Sequence, residues 1–156
     1  MALAITLKQY LADQGTEYEV VIHAPTVSAS RTAQVSHVPG DRIAKAVVLK
    51  GDGGFLLAVL PASHHIKFGE LQRCLDQHVG LATEEEATSL FDDCELGAIP
   101  ATGGAYGLDI VMDDSLAEQP DIYFEGGDHA SLVHVSGQVF DKLMAGAKHG
   151  RFSHHD

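Results

Sequence analysis

The sequence predicts a single compact α+β domain, in which a mixed, mostly antiparallel sheet is flanked by helices. Its 156 residues fit one domain, and 45% apolar with 21% charged residues is a composition typical of folded globular proteins. Two apolar segments on either side of the glycine-rich stretch 51–54 predict a central β-hairpin. Amphipathic segments with helix caps alternate with short apolar segments along the rest of the chain, which is typical of helices packed on a sheet.

The first half of the chain is predicted to contribute two helices and three strands. Leu3, Leu7 and Leu11 recur at helical spacing and Gly15 can end that helix, while Tyr18 to His23 alternates as a strand does. The predicted elements are a helix at 3–14, a strand at 18–23, a short helix that begins at Ser28 or Ser30 and ends before Pro39, and strands at 45–50 and 55–60.

The second half is predicted to add three helices and three strands. Thr83 and Glu86 form a capping box, and a cluster of glycines from Gly97 to Gly107 marks a loop that bends tightly. The predicted elements are helices at 67–76, 83–91 and 137–144 and strands at 108–112, 121–124 and 132–135. We expect residues 1–146 to form the domain and residues 147–156 to form a flexible C-terminal tail.

The charge distribution argues against a general nucleic-acid-binding protein. The net charge is −12, which opposes phosphate binding over most of the surface. However, Arg31, Arg42, Lys45 and Lys50 fall within twenty residues, whereas residues 74–141 contain no lysine or arginine. A local basic patch on an acidic body suits a small anionic group or the end of a nucleic acid better than a long duplex.

Lys45 is the first candidate functional residue, with Arg42 beside it. It lies at the start of an apolar strand, just after the turn at Gly40. Burying a cation there costs several kcal/mol unless an anion or a hydrogen-bond partner meets it. Lys45 therefore either lies at an exposed strand end, as an isolated lysine would, or points into a site that binds negative charge.

The loop 97–100 and several histidines are weaker candidates for functional residues. The glycine-containing loop 97–100 can present backbone N–H groups to an anion or a carbonyl, although such a loop is more often a structural turn. His129, beside Asp128, could orient a substrate, whereas His134 alternates within a strand and is expected to be a satisfied core histidine. His64 and His65 point apart as neighbours in sequence and are poor joint metal ligands.

Neither a metal site nor a nucleophilic active site is predicted. The two cysteines have no metal-ligand spacing, and no serine lies in a glycine-flanked turn of the hydrolase type. Two cysteines without a disulfide framework, and no apolar segment long enough to cross a bilayer, predict a cytoplasmic protein that does not enter membranes.

Four segments in this order resemble the YbaK/prolyl-tRNA synthetase-associated editing domain family. They are His23-Ala24-Pro25-Thr26, the lysine-containing segment from Ile43 to Lys50, Gly97-Ala98-Ile99-Pro100, and the late loop and strand from Glu125 to Val135. The resemblance extends from about Thr16 to Met144. It implies a free-standing aminoacyl-tRNA deacylase with an α+β editing-domain fold, which hydrolyses the ester of a wrongly charged tRNA.

The resemblance also implies roles for particular residues. The family lysine that matches Lys45 is essential and contacts a phosphate at the tRNA 3′ end, and the loop that matches Gly97 to Pro100 shapes the aminoacyl pocket. Lys45 and Gly97 are therefore the expected catalytic residues. The expected substrate-binding residues are Ala98, Ile99, Pro100, His23, Arg42, Asp128 and His129. A terminal ribose hydroxyl assists the attacking water in this family, so no cofactor, metal or covalent nucleophile is expected.

The resemblance implies a small amino acid of the alanine, cysteine or serine class, with tRNA-Pro as a candidate carrier and an aminoacyl-tRNA synthetase as a candidate partner. Ala101 stands where many relatives have proline, and Ala46 stands where some alanine-specific relatives have asparagine. An alternative is therefore a non-catalytic module that binds aminoacyl-tRNA or a small ligand in the same pocket. A further alternative is a metal-dependent enzyme that uses His129, His134 and Asp128.

Overall fold

The structure, a computed structural model, describes residues 3–26 and 28–156, so the expected domain boundary at residue 1 lies outside the described residues. The helices within these ranges are α1 (Ile5–Asp13), α2 (Ala29–Ser36), α3 (Phe68–Leu75), α4 (Glu84–Leu90) and α5 (Gly137–Leu143). The strands are β1 (Glu19–Ile22), β2 (Ile43–Gly51), β3 (Gly54–Pro61), β4 (His64–Ile66), β5 (Val79–Leu81), β6 (Asp109–Asp113), β7 (Asp121–Glu125), β8 (Ser131–Ser136), β9 (Lys148–Gly150) and β10 (Ser153–His155).

The strands form one large mixed sheet and one small antiparallel pair. The large sheet has the order β1-β8-β7-β2-β3-β6-β9, and β5 also pairs with β2. Neighbours β1/β8, β8/β7, β2/β3 and β2/β5 are antiparallel, whereas β2/β7, β3/β6 and β6/β9 are parallel. Strands β4 and β10 form the small pair. The predicted fold class, α+β with a mixed and mostly antiparallel sheet, is confirmed.

The predicted central hairpin is present as β2 and β3. Gly51 pairs with Gly54 across a two-residue turn, which is the commonest type of hairpin connection. Gly54 has a φ of +122°, a conformation that glycine adopts without steric cost. The composition of the turn therefore determines the register of the two longest strands.

Three of the described helices, α2, α4 and α5, begin at a side-chain cap. Ser28 Oγ accepts the Arg31 N–H at 3.1 Å at the start of α2, and Ser136 Oγ accepts the Val139 N–H at 3.1 Å at the start of α5. The capping box of α4 is complete, because Thr83 and Glu86 accept each other's backbone N–H groups. In the described ranges, no helix has both the length and the apolar character needed to span a bilayer.

Strand β2 separates the hydrophobic core into two faces. Ala44 and Val48 are buried in the largest cluster, whereas Ile43 and Leu49 belong to smaller clusters. Because alternate residues of a strand point to opposite faces, Lys45 lies on the side of Ile43 and Leu49. This face also carries α2 and α3.

The C-terminal residues differ from the flexible tail that the sequence predicts. Residues 148–150 and 153–155 form β9 and β10, and Phe152 between them is completely buried. Asp113 Oδ2 accepts the backbone N–H groups of Phe152 and Ser153 at 3.0 and 2.9 Å. Phe152 and Asp113 thus hold the C-terminal segment in place, although its polar, histidine-rich sequence has little propensity to form strands.

Candidate functional site

The middle of β2 borders an opening in the sheet. Strand β7 pairs with β2 at residues 43–44, and β5 pairs with it at residues 49–51. Between these contacts, residues 45–47 are half-buried, although the residues immediately before and after them are buried. A central strand is ordinarily covered along its whole length. The edge of β2 is therefore open between the two ladders, and we call this opening the cleft.

The backbone of Ala46 faces this cleft. Ala62 N–H donates to the Ile43 carbonyl at 2.8 Å, so odd-numbered residues of β2 direct their backbone groups toward β3. Ala82 N–H donates to the Val48 carbonyl at 3.1 Å, so even-numbered residues face the opposite edge. Ala46 is the even-numbered position that lies between the ladders of β7 and β5, so its N–H and C=O face the cleft and pair with neither strand.

Lys45 is a half-buried cation held by a neutral group. Its ammonium donates to the backbone carbonyl of His64, and none of the described carboxylates lies within ion-pair distance. Burial lowers the pKa of Lys45, and the nearby charge of Asp156 opposes that effect. An ammonium group has three donors, so Lys45 can still bind an anion such as a phosphate.

The loop that was expected to shape the pocket lies at the end of the sheet where β7 turns into β8. Gly97 is exposed and has a φ of +85°, whereas Ala98 and Pro100 are buried. The Ala98 N–H donates to the Glu95 carbonyl at 3.0 Å and is therefore not free to bind a substrate. Ile99 packs against the largest core cluster, which includes Val48 and Ala101.

The turn between β7 and β8 docks onto this loop. His129, with a φ of +61°, donates through Nε2 to the Leu96 carbonyl, and Glu95 N–H donates to the Gly127 carbonyl at 2.8 Å. Asp128 shapes the turn itself, because its Oδ1 accepts the N–H groups of Ala130 and Ser131 at 3.0 and 2.8 Å. The two residues thus act as supports of the loop in this structure.

Arg42 precedes β2 and forms an ion pair on the rim of the sheet. Its guanidinium lies 3.1 Å from Asp121, whose other oxygen is 2.8 Å from His134 Nε2. His134 also stacks on Tyr123 with the ring centroids 4.1 Å apart. His134 is therefore satisfied, as the strand alternation predicts, and Arg42 is neutralised by a partner that the sequence did not indicate.

A buried polar cluster lies on the same face of the sheet as Lys45. We define it as His23, Thr26, Thr32 and Glu125. The hydroxyls of Thr26 and Thr32 hydrogen-bond to each other, and Thr32 also donates to Glu125 Oε1 at 3.2 Å. The His23 N–H donates to the Ala130 carbonyl at 2.8 Å, which places His23 beside the start of β8.

Two acceptors of this cluster have no partner among the described residues, namely His23 Nε2 and Glu125 Oε2. The His23 Nδ1 lies 2.7 Å from the Ala24 carbonyl, which can only accept, so Nδ1 carries a proton, and Nε2 is an acceptor when this is the only proton on the ring nitrogens. Burial raises the pKa of Glu125 to about 7; the charge of Asp128 adds to this rise and the Thr32 hydrogen bond opposes it. Unsatisfied buried groups are rare in folded proteins and call for a physical explanation.

Of this cluster, His23 was predicted from the sequence to be a site residue, whereas Thr26, Thr32 and Glu125 were not. Asp121, Tyr123 and Glu125 alternate with buried Ile122 and Phe124 in β7. This alternation could have placed Glu125 on the face opposite Ile122 and Phe124, but not beside Lys45. The hydroxyl chain of Thr26 and Thr32 carries no sequence signal, because it depends on how α2 packs against the sheet.

The expected catalytic residues do not come together directly. Lys45 points to the face of Ile43 and Leu49, whereas Ile99 and Ala101 pack on the face of Ala44. No hydrogen bond joins Lys45 to the loop 97–100 in the part of the chain that the structure describes. The cleft beside residues 45–47 is the place where a ligand could contact both faces.

The residues of the metal-dependent alternative have separate partners. His134 binds Asp121, His129 binds the Leu96 carbonyl, and Asp128 is engaged in its own turn. Across residues 3–26 and 28–156, no three histidine, cysteine, aspartate or glutamate side chains are grouped to hold a metal ion.

Comparison with protein-family models identifies the chain. The model of the aminoacyl-tRNA editing domain matches residues 23–143, which include the buried polar cluster, Lys45 and the loop 97–100. The chain belongs to the aminoacyl-tRNA editing domain family. A comparison with curated proteins finds no match.

Solved structures show the same fold as this editing domain. One is described as "a putative trans-editing enzyme for prolyl tRNA synthetase"; it is 23% identical, has a TM-score of 0.84, and the match covers 97% of this chain and 96% of that one. A scaffold protein used for grafting epitope backbones is 21% identical, with a TM-score of 0.84 and 97% of each chain covered. A Marinobacter aquaeolei protein described as a "putative signal transduction protein" is 20% identical with a TM-score of 0.77, and the match covers 97% of this chain but 31% of that longer one.

Proposed function

We propose that this editing domain is an aminoacyl-tRNA deacylase that removes a small amino acid from a wrongly charged tRNA. The observation that carries the proposal is the half-buried ammonium of Lys45, which borders the cleft and, among the described residues, has the neutral His64 carbonyl as its partner. Such a cation suits an anion brought by the substrate, and the 3′ end of a tRNA supplies a phosphate next to the aminoacyl ester.

The proposed reaction is the hydrolysis of that ester. Water adds to the carbonyl carbon, the bond between this carbon and the ribose oxygen breaks, and the ribose oxygen takes up a proton. The products are the free amino acid and a tRNA with its terminal hydroxyl restored. A neighbouring ribose hydroxyl can assist the water, so the protein contributes mainly orientation and electrostatic stabilisation.

The apolar environment near the cleft supports a small amino acid as the substrate. Val48 is buried in the cluster against which Ile99 packs, and Pro100 is buried beside Ile99. A pocket walled by these side chains would exclude bulky or charged groups. It would separate alanine, serine and cysteine only weakly, since one methylene is worth about 1–3 kcal/mol. We propose this class, with tRNA-Pro as a candidate carrier and its synthetase as a candidate partner.

A panel of mischarged tRNAs, assayed for release of the radiolabelled amino acid, tests the proposal. Lys45→Ala should lower kcat/KM by roughly 10- to 100-fold, because it removes a charge-assisted hydrogen bond to the phosphate. Lys50→Ala is the matched control: Lys50 lies in the same strand, but its side chain is exposed and pairs with Glu86 at 3.0 Å. The control should retain wild-type turnover.

Each outcome of this assay separates one part of the proposal from another. If the wild-type protein binds mischarged tRNA but hydrolyses no member of the panel, it is the non-catalytic binding module instead. If Lys45→Ala turns over substrate as fast as Lys50→Ala, the deacylase stands but the lysine has no part in it.

A further inference from the structure

Lys45 and Glu125 are neighbours of opposite charge that do not pair with each other. Ala44 lies opposite Phe124 in the parallel ladder of β2 and β7, so Lys45 and Glu125 are the next residues on the two strands and share a face. Nevertheless, the ammonium donates to the His64 carbonyl and the carboxylate accepts from Thr32. Lys45 and Glu125 are therefore both able to bind a group of opposite charge on a ligand.

The unpartnered atoms near Glu125 are both acceptors. Glu125 is 4% exposed and His23 is 8% exposed, so neither Oε2 nor Nε2 is open to bulk solvent. Two buried acceptors on one face call for a ligand with several donors. The α-ammonium group of an aminoacyl ester has three N–H donors and a positive charge, and both properties match these acceptors.

We propose that Glu125, together with His23, binds the α-ammonium group of the aminoacyl ester while Lys45 binds the terminal phosphate. This inference rests on the proposed deacylase function and specifies how its substrate is recognised. The aminoacyl-adenosine end of a tRNA carries one cationic and one anionic group, which complements the separated charges of Glu125 and Lys45. Residues 45–47 of β2 are half-buried and lie beside Glu125, so a substrate bound at this edge of the strand would lie next to the Glu125 side chain.

Comparing an amine with its neutral counterpart tests this inference. We would use the aminoacyl-tRNA that the wild-type protein hydrolyses fastest and the matching α-hydroxyacyl-tRNA, in which a hydroxyl replaces the ammonium. Each rate is corrected by the uncatalysed hydrolysis of the same ester. The wild-type protein should prefer the aminoacyl ester by roughly 10- to 100-fold, which is the contribution of a charge-assisted hydrogen bond.

Glu125→Gln assigns this preference to the carboxylate. The amide keeps the size of the side chain and an oxygen for Thr32, but it cannot neutralise an ammonium. The preference should fall to within about threefold in the variant by loss of rate on the aminoacyl ester. Glu85→Gln, on the exposed side of α4, makes the same chemical change away from the cleft and should leave the preference intact.

The results separate the inference from the proposed function. If the wild-type protein hydrolyses no ester of either kind, the deacylase function itself is wrong. If it hydrolyses both esters equally well, the deacylase stands and ammonium recognition is overturned, with no variant needed. A wild-type preference that persists in Glu125→Gln overturns the assignment to Glu125.

Discussion

Replacing Glu125 with glutamine should change how the stability of this protein depends on pH. Burial raises the pKa of Glu125 from 4.5 to about 7 in the folded protein, whereas the same carboxyl ionises freely in the unfolded chain. The unfolded state therefore loses its proton first as the pH rises. The free energy of unfolding should fall between about pH 4.5 and pH 7 and then become insensitive to this group.

The size of this effect follows from the rise in pKa. One pKa unit corresponds to about 1.4 kcal/mol, so a rise from 4.5 to about 7 is worth on the order of 3 kcal/mol. Urea unfolding of the wild-type and Glu125→Gln proteins at pH 4.5 and pH 8, followed by circular dichroism, measures it. Asp128, His23 and the other titratable groups are common to both proteins, so the difference between the two pH dependences isolates Glu125.

The glutamine variant should lose less stability than the wild-type protein between these two pH values. Glu85→Gln, whose side chain is exposed, should behave like the wild-type protein and controls for the loss of one formal charge. If Glu125→Gln retains the whole wild-type decrease, Glu125 does not titrate in a buried environment and the description of the polar cluster is wrong.

The other predictions concern the C-terminal strands and the edge of β2. Phe152→Ala should lower the free energy of unfolding in urea by about 3–5 kcal/mol, because Phe152 is completely buried. The same substitution in a flexible tail would leave the free energy of unfolding almost unchanged. Asp113 has a lowered pKa; burial opposes this, but hydrogen bonds from Ser115, Phe152 and Ser153 outweigh it. Ionised Asp113 therefore stabilises the folded protein above about pH 4, and this stabilisation is lost as the pH falls further. Asp113→Asn should destabilise the protein at pH 7 and make its stability depend less on pH in acid, as measured by circular dichroism. In urea unfolding, Val47→Pro should lower the free energy of unfolding by at least about 2 kcal/mol more than Ala46→Pro does. The reason is that the Val47 N–H bonds to β3, whereas the Ala46 N–H faces the cleft. Equal decreases in the free energy of unfolding would contradict an unpaired Ala46.

The elements with strong local signals were predicted from the sequence. The hairpin of β2 and β3 follows from two apolar segments around Gly51 to Gly54, and α4 follows from a capping box that the structure contains in full. Strands β4, β5, β9 and β10 have three residues each and were missed. Such short strands are stabilised by partners distant in the sequence, as when β10 pairs with β4, and not by local propensity.

The candidate site was predictable where a residue type is unusual in its local context. Lys45 stands out because a cation interrupts an apolar strand, and Gly97 because its loop needs a positive φ. Glu125 was passed over because it precedes two glycines and resembles part of a solvated loop. Its burial, its bond to Thr32 and its position next to Lys45 depend on the pairing of β7 with β2, which the sequence alone does not reveal.

If the proposed function holds, the separation of Lys45 from Glu125 lets an acidic protein bind a tRNA end with little positive charge. With a net charge of −12, long-range attraction to the tRNA backbone is weak, and recognition has to come from contacts at short range. A direct Lys45–Glu125 ion pair would neutralise both groups and leave neither for the substrate. The His64 carbonyl and the Thr32 hydroxyl instead hold the two charges with neutral partners, so that the aminoacyl end can supply the opposite charge to each.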